Sequence, residues 1–331
     1  MNQVTTLKKI SQLLNISIST VSRALKNHPE ISEKTKQRVI EMASKLEYVP
    51  DANAIHLRTS SSKILGLMVP FVSYYFYDSF IAAVEEECRG KGYSLLILQS
   101  GDDPQTEITN LKICRQNRIS GLFVSISPQT RDIRSFLKLS DSGIPVIFFD
   151  KVPAYEACNK ICLADAEAAR MSAETILKKT KKKVLAIFGD MHLLITKKRL
   201  AAFSETFQAQ KGKAKLVIAH SHDAKDAEKK TIENLSLKNR PDTIFCMSDE
   251  ILCGVMKAIQ ISGLCVPKDI GVMAISNGFI PKLFYPEITF VETSGQKLGK
   301  LAFNRMMSCL SGSTFVQTLT LQSVLVYGGS M

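Results

Sequence analysis

From Ser17 to Leu25 the chain reads Ser-Ile-Ser-Thr-Val-Ser-Arg-Ala-Leu. At helical spacing Ile18, Val21 and Leu25 turn inward. Ser19, Ser22 and Arg23 then occupy the outer face, with Thr20 at its edge. Short hydroxyls beside one Arg suit the major groove of duplex DNA. A guanidinium can bridge two acceptors on a guanine edge, and hydroxyls can reach bases or phosphates. The same residues also suit an ordinary solvent-facing helix, so this segment alone does not decide.

A second set of polar residues stands just beyond apolar runs. Phe76 and Tyr77 follow the run at 64–69, Ser125 ends the run at 122–125, and Asp150 follows Phe148 and Phe149. Carboxylates paired with aromatic faces suit a polar ligand such as a sugar. Other candidate chemistry is weak. Gly295 to Leu301 resembles a phosphate loop but is one residue short and lacks the final hydroxyl, so it reads as a helix start. The eight cysteines form no Cys-x-x-Cys pair and read as buried, reduced thiols. His220 and His222 lie in a loop without metal-ligand spacing. No nucleophile can be paired with a base. No enzyme, cofactor or metal is expected.

Three short helices should carry the first set. Leu7, Ile10, Leu13 and Leu14 have helical spacing, Asn15 permits a tight turn, and Ser17 can cap the next helix. Ser32 can cap a third, with Thr35, Val39, Met42 and Leu46 as its inner stripe. After Pro50, Asp51 can cap a short helix over 52–57, and 59–62 reads as a linker. From Ile64 onward, apolar strands alternate with helices, break near Ala164, and begin again. Such alternation predicts parallel sheets covered on both faces, in two lobes with a cleft beyond the strand ends. The expected fold is an all-α helix-turn-helix head plus an α/β two-lobed domain with two doubly wound parallel sheets. The expected divisions are 1–49 for the head, 50–63 for a short helix and linker, and 64–331 for the two-lobed body.

The 331 residues carry a formal charge of +12, and residues 1–63 hold ten Lys or Arg against five Asp or Glu. A basic head raises the odds of a polyanionic partner. The lysine-rich run at 178–183 falls between a helix and a strand and reads as a solvated loop. No run of about 18 apolar residues suggests a membrane span. The first residues do not read as a secretory signal, so a cytoplasmic protein without membrane contact is expected.

Several segments together resemble the lactose-repressor (LacI/GalR) family. They include Thr6 to Ser11, Ile16 to Leu25, Ile31 to Thr35, Tyr48-Val49-Pro50 and Leu57-Arg58-Thr59. The likeness continues through Ile64 to Pro70, Gly143 to Val146, Ser248-Asp249-Glu250 and Pro267 to Val272, covering nearly the whole chain. It implies base reading by Ile18, Ser19 and Arg23, and positioning on phosphates by Thr6, Thr20, Ser22 and Asn27. It implies that 50–63 forms a hinge helix and linker whose Leu57 wedges into the minor groove, and that the periplasmic-binding-protein-like body, 64–331, serves effector binding and dimerisation. In the body it implies effector contacts from Arg199, Ser248, Asp249 and Ser276, with Asn277 in the same loop. Asp51 stands where the family commonly has Asn, and Asn53 where it has a small apolar residue. The expected function is regulation of transcription, most simply repression. A homodimer would bind a pseudo-palindromic double-stranded operator, with affinity switched by a small effector, a sugar or sugar derivative. A transport binding protein would lack the head and carry a signal, and an enzyme on a doubly wound fold would need a cofactor loop.

Overall fold

Short side-chain caps set the helices of the N-terminal unit. In a computed structural model, residues 6–48, 62–179, 182–210 and 214–331 are described. The chain divides into two units, Met1–Ser61 and Ser62–Met331. In the first, Thr6, Ser17 and Ser32 each accept a backbone N–H at the starts of α1 (Leu7–Leu14), α2 (Ile18–Leu25) and α3 (Glu33–Lys45). Each such cap is worth roughly 1 kcal/mol. Asn15 makes the turn between α1 and α2 in the left-handed conformation, φ 51°. Ile10, Val21, Ala24, Val39 and Ala43 form the dry centre of the three helices.

Two corrections belong here. Ile18 does not face inward: it is 47% exposed, because it is the first residue of α2 and projects past the Val21–Ala24 contact. On α3 the buried positions are Lys36, Val39 and Ala43, with Met42 and Leu46 only partly covered. The expected hinge helix over 52–57, its cap Asp51, its wedge Leu57 and most of the linker lie outside the described residues.

The second unit holds two sheets. In lobe 1 the strands are β1 (Ile64–Val69), β2 (Ser94–Gln99), β3 (Gly121–Val124), β4 (Val146–Phe149), β5 (Asn159–Leu163) and β11 (Thr318–Leu321). Their order is β11-β5-β4-β3-β1-β2. In lobe 2, β6 (Lys183–Phe188), β7 (Lys215–His220), β8 (Thr243–Cys246), β9 (Gly271–Ser276), β10 (Thr289–Glu292) and β12 (Val324–Val326) repeat that order as β12-β10-β9-β8-β6-β7. Central strands such as β1, β3 and β8 are apolar and buried on both faces, whereas the edge strand β2 is partly exposed along its length.

Helices cover both faces. Lobe 1 has α4 (Tyr75–Gly90), α5 (Pro104–Gln116), α6 (Arg134–Asp141) and α11 (Gly295–Leu310). Lobe 2 has α7 (Asp165–Lys178), α8 (Leu194–Ala209), α9 (Ala224–Leu235) and α10 (Asp249–Ile261). Helix α11 lies close on α4: a Cβ on Gly295 would come 2.6 Å from the Phe76 carbonyl, and one on Gly299 3.0 Å from that of Phe80. Phe80 stacks on Phe149 at 3.8 Å, joining α4 to the sheet.

The body departs from expectation in three ways. The sheets are not wholly parallel, since β12 runs antiparallel to β10. The chain also passes between lobes three times, not once: after β5, after β10 and between β11 and β12. Nor are all the cysteines buried, because Cys265 is exposed and Cys253 and Cys309 are half-buried. No helix among the described residues is long and apolar enough to cross a membrane.

Candidate DNA-reading helix and effector cleft

Capping leaves the outer face of α2 at the surface. Ile18, Ser19 and Arg23 are exposed, and Thr20 and Ser22 are half-buried. The Ser17 hydroxyl lies 2.7 Å from that of Ser19 and 2.8 Å from that of Thr20, which orders the first turn. Arg23 pairs with Glu30 at 2.8 Å on the surface. Thr6 stands exposed at the N-terminus of α1, and Asn27 is exposed with φ 55° just past α2. Helix N-termini present unpaired N–H groups that suit phosphate oxygens. The arrangement can lay α2 along a groove and place α1 across a backbone.

In the second unit, a cleft of about 280 Å³ opens between the lobes, beyond the C-terminal strand ends. That is where ligands bind on doubly wound sheets. Phe76 and Tyr77, which follow β1, occupy the first turn of α4. Both line the cleft. Asp150 follows β4 with φ 55° and accepts the Tyr77 hydroxyl at 2.6 Å. Burial raises both the Asp150 carboxyl and, far more, the Tyr77 hydroxyl above their ordinary ranges. Ser125 is a correction: it does not line the cleft but is fully buried behind it, 2.8 Å from the Tyr77 hydroxyl. Its place is to hold Tyr77.

On the other wall, Ser248 caps α10 and Asp249 is its first residue. Asp249 accepts the Ser276 hydroxyl at 2.5 Å and the Asn277 backbone N–H at 3.0 Å. Burial nevertheless raises its carboxyl to about 7. Arg199 reaches the cleft from α8, but its guanidinium is fixed by Asp165 at 2.8 Å and by the Met247 carbonyl at 2.9 Å. Burial lifts Asp165, and Arg199 opposes that lift.

Sequence reasoning missed Tyr74, Asp102, Lys151, Asp190 and Asp223, all of which line the cleft. Asp102, Asp190 and Asp223 each follow a strand by two to three residues, so the strand-end rule could have found them. Asp165 also follows a strand by two residues, but its pairing with Arg199, 34 positions away, had no local signal. Among the described residues, no group of three His, Cys, Asp or Glu could hold a metal ion.

A helix-turn-helix head followed by a two-lobed α/β body with an inter-lobe cleft defines a ligand-responsive class of DNA-binding regulators. Comparison with known proteins points the same way. A model described as bacterial regulatory proteins, lacI family, matches residues 6–51, and a periplasmic binding protein-like domain matches 176–331. The HTH-type transcriptional repressor PurR of Mannheimia succiniciproducens is 26% identical, across 90% of this chain and 89% of that protein. A lac repressor dimer bound to operator and the anti-inducer ONPF superposes with TM-score 0.87 at 19% identity, covering 99% of each chain. A LacI-type regulator from Alkaliphilus metalliredigens complexed with D-xylulofuranose matches with TM-score 0.70 at 22% identity, across 81% of this chain and 99% of that one. The chain thus joins a lacI-family DNA-binding domain to a periplasmic binding protein-like domain, and its relatives are transcriptional regulators, not enzymes.

Proposed function

We propose that the chain acts as a homodimer on a pseudo-palindromic operator, its affinity switched by a small polar effector, a sugar or sugar derivative, held between the lobes. One arrangement carries the effector reading: aromatic and charged side chains from the strand ends of both lobes meet around a single cleft. Phe76, Tyr77, Asp150, Arg199, Ser248, Asp249 and Ser276 are its contacts, with Ser125 acting through Tyr77. The sugar bound by the Alkaliphilus relative supports a polar, hydroxyl-rich ligand.

On DNA, Ile18, Ser19 and Arg23 read base edges, while Thr6, Thr20, Ser22 and Asn27 fix register on phosphates. Leu57 is the minor-groove wedge. Exposed Phe279, Leu283 and Tyr285, around the short turn Ile280–Leu283, support contact with a second copy. Closing the lobes on effector changes the spacing of the paired heads, and with it the affinity for DNA. Coupling of this kind is reciprocal.

Selection of bound sites from random duplexes tests the reading. A two-fold symmetric site should emerge, and effector affinity should differ with and without it. Failure to enrich any site overturns the operator part, and identical effector affinities overturn the switch.

A further inference from the structure

We infer that the molecule taken by the cleft is a small organic cation, an amine-bearing sugar or polyol, held between carboxylates of both lobes. The inference rests on the effector reading above and names the charge class of that ligand.

Six carboxylates line the cleft: Asp102, Asp150, Asp190, Asp223, Asp249 and Glu250. The cationic side chains there are already engaged. Lys151 pairs with Asp102 at 3.1 Å, and Arg199 pairs with Asp165. The other five lining carboxylates form no ion pair among the described residues. Donors to four of them are neutral. Tyr77 donates to Asp150, and the backbone N–H groups of His192 and Asp226 donate to Asp190 and Asp223. Ser276 and Asn277 donate to Asp249. The one Lys and one Arg that line the cleft are each paired with a carboxylate, which leaves no uncommitted Arg or Lys there for a phosphate or carboxylate ligand.

The geometry gives a second, separate argument. Tyr74, Asp102, Asp223 and Glu250 line the same cleft, Asp102 from lobe 1 and Asp223 and Glu250 from lobe 2, and burial first, then these three carboxylates, raises the Tyr74 hydroxyl. The Tyr74 and Tyr77 rings stand nearly parallel with centroids 6.3 Å apart. Aromatic faces flanked by carboxylates recognise ammonium groups, through ring quadrupoles and charge-assisted hydrogen bonds. Among the described residues no group of three His, Cys, Asp or Glu could hold a metal ion. Without a bound cation, carboxylates of the two lobes repel across the cleft, and a bound amine would remove that repulsion and favour closure.

The test is calorimetry and thermal shift on the full chain with matched forms of glucose, galactose and mannose. Each sugar is presented as the 2-amine, the N-acetyl amide, the neutral hexose and the 6-phosphate. One amine should bind about tenfold or more tighter than its N-acetyl form. The preference should shrink to about threefold or less in the Asp223→Asn/Glu250→Gln double variant, since it removes two of the carboxylates. Asn keeps the cap of α9 that Asp223 supplies, and a cooperative melt confirms the fold. Single variants replace the double one if it does not melt cooperatively. Equal or tighter binding of a neutral or phosphorylated form overturns the cationic inference and leaves the effector cleft standing. An amine preference unchanged in the variants overturns it too. Silence from every form overturns both.

Discussion

The side-chain amide of Asn277, just past β9 in lobe 2, donates to the backbone carbonyl of Tyr75, the first residue of α4 in lobe 1. The backbone N–H of the same Asn277 donates to Asp249 in the cleft. Tyr75 also packs against the lobe 2 core. One residue therefore touches both the cleft carboxylate and the opposite lobe. Asn277→Ala should cost about 0.5–1.5 kcal/mol, the usual net worth of one hydrogen bond. Urea denaturation checks the cost, and small-angle scattering should show a larger radius of gyration.

Asp249 predicts a pH dependence. Burial lifts its carboxyl from 3.8 to about 7. The folded state therefore holds this proton more firmly than the unfolded chain. The stabilisation is complete below pH 3.8 and is lost as pH rises through about 7. Asp249→Asn should flatten melting temperature against pH over that window. It should also show a pH-independent cost of about 1–3 kcal/mol, because Asn cannot accept from both Ser276 and Asn277. A variant profile parallel to that of the parent would remove Asp249 as the source.

On the proposed reading, Glu30 competes with DNA for Arg23. Their ion pair at 2.8 Å is exposed on both sides and must open before Arg23 can reach a base. Glu30→Gln should tighten operator binding by about 0.2–1 kcal/mol, the usual worth of such a pair. Arg23→Ala should weaken it by about 1–3 kcal/mol and relax the preference at one base pair. Fluorescence anisotropy on single-base operator variants separates the two effects.

The buried pair of Arg199 and Asp165 gives a stability test. Arg199→Leu strands an acid that is almost fully enclosed, and should cost about 3–5 kcal/mol. Adding Asp165→Leu should restore much of that loss, since a matched apolar pair often replaces a buried ion pair without cost. Guanidinium denaturation of the parent, both single variants and the double variant measures the coupling.

Elements with strong local patterns were legible in the sequence. β1, with its run Ile-Leu-Gly-Leu-Met-Val, and α2, with its Ser17 cap, stand near where periodicity placed them. What escaped depended on long-range pairing. Thr318–Leu321 has no independent reason to be a strand until it lies beside β5, and Val324–Val326 becomes one only against β10. The site divides in the same way. Asp150 and Asp249 were visible as acids at strand ends or in a motif. The burial of Ser125 behind Tyr77, and the engagement of Arg199 by Asp165, are contacts across 48 and 34 positions that no local pattern encodes.

The three passages of the backbone between lobes have a genetic consequence. No single break in the coding sequence can release either lobe whole. A cut after β5 leaves the first fragment without α11 and β11, and a cut after β10 takes β12 from the second lobe. Fusion or recombination that exchanges effector specificity must therefore move the body as one block, from its first strand to its last.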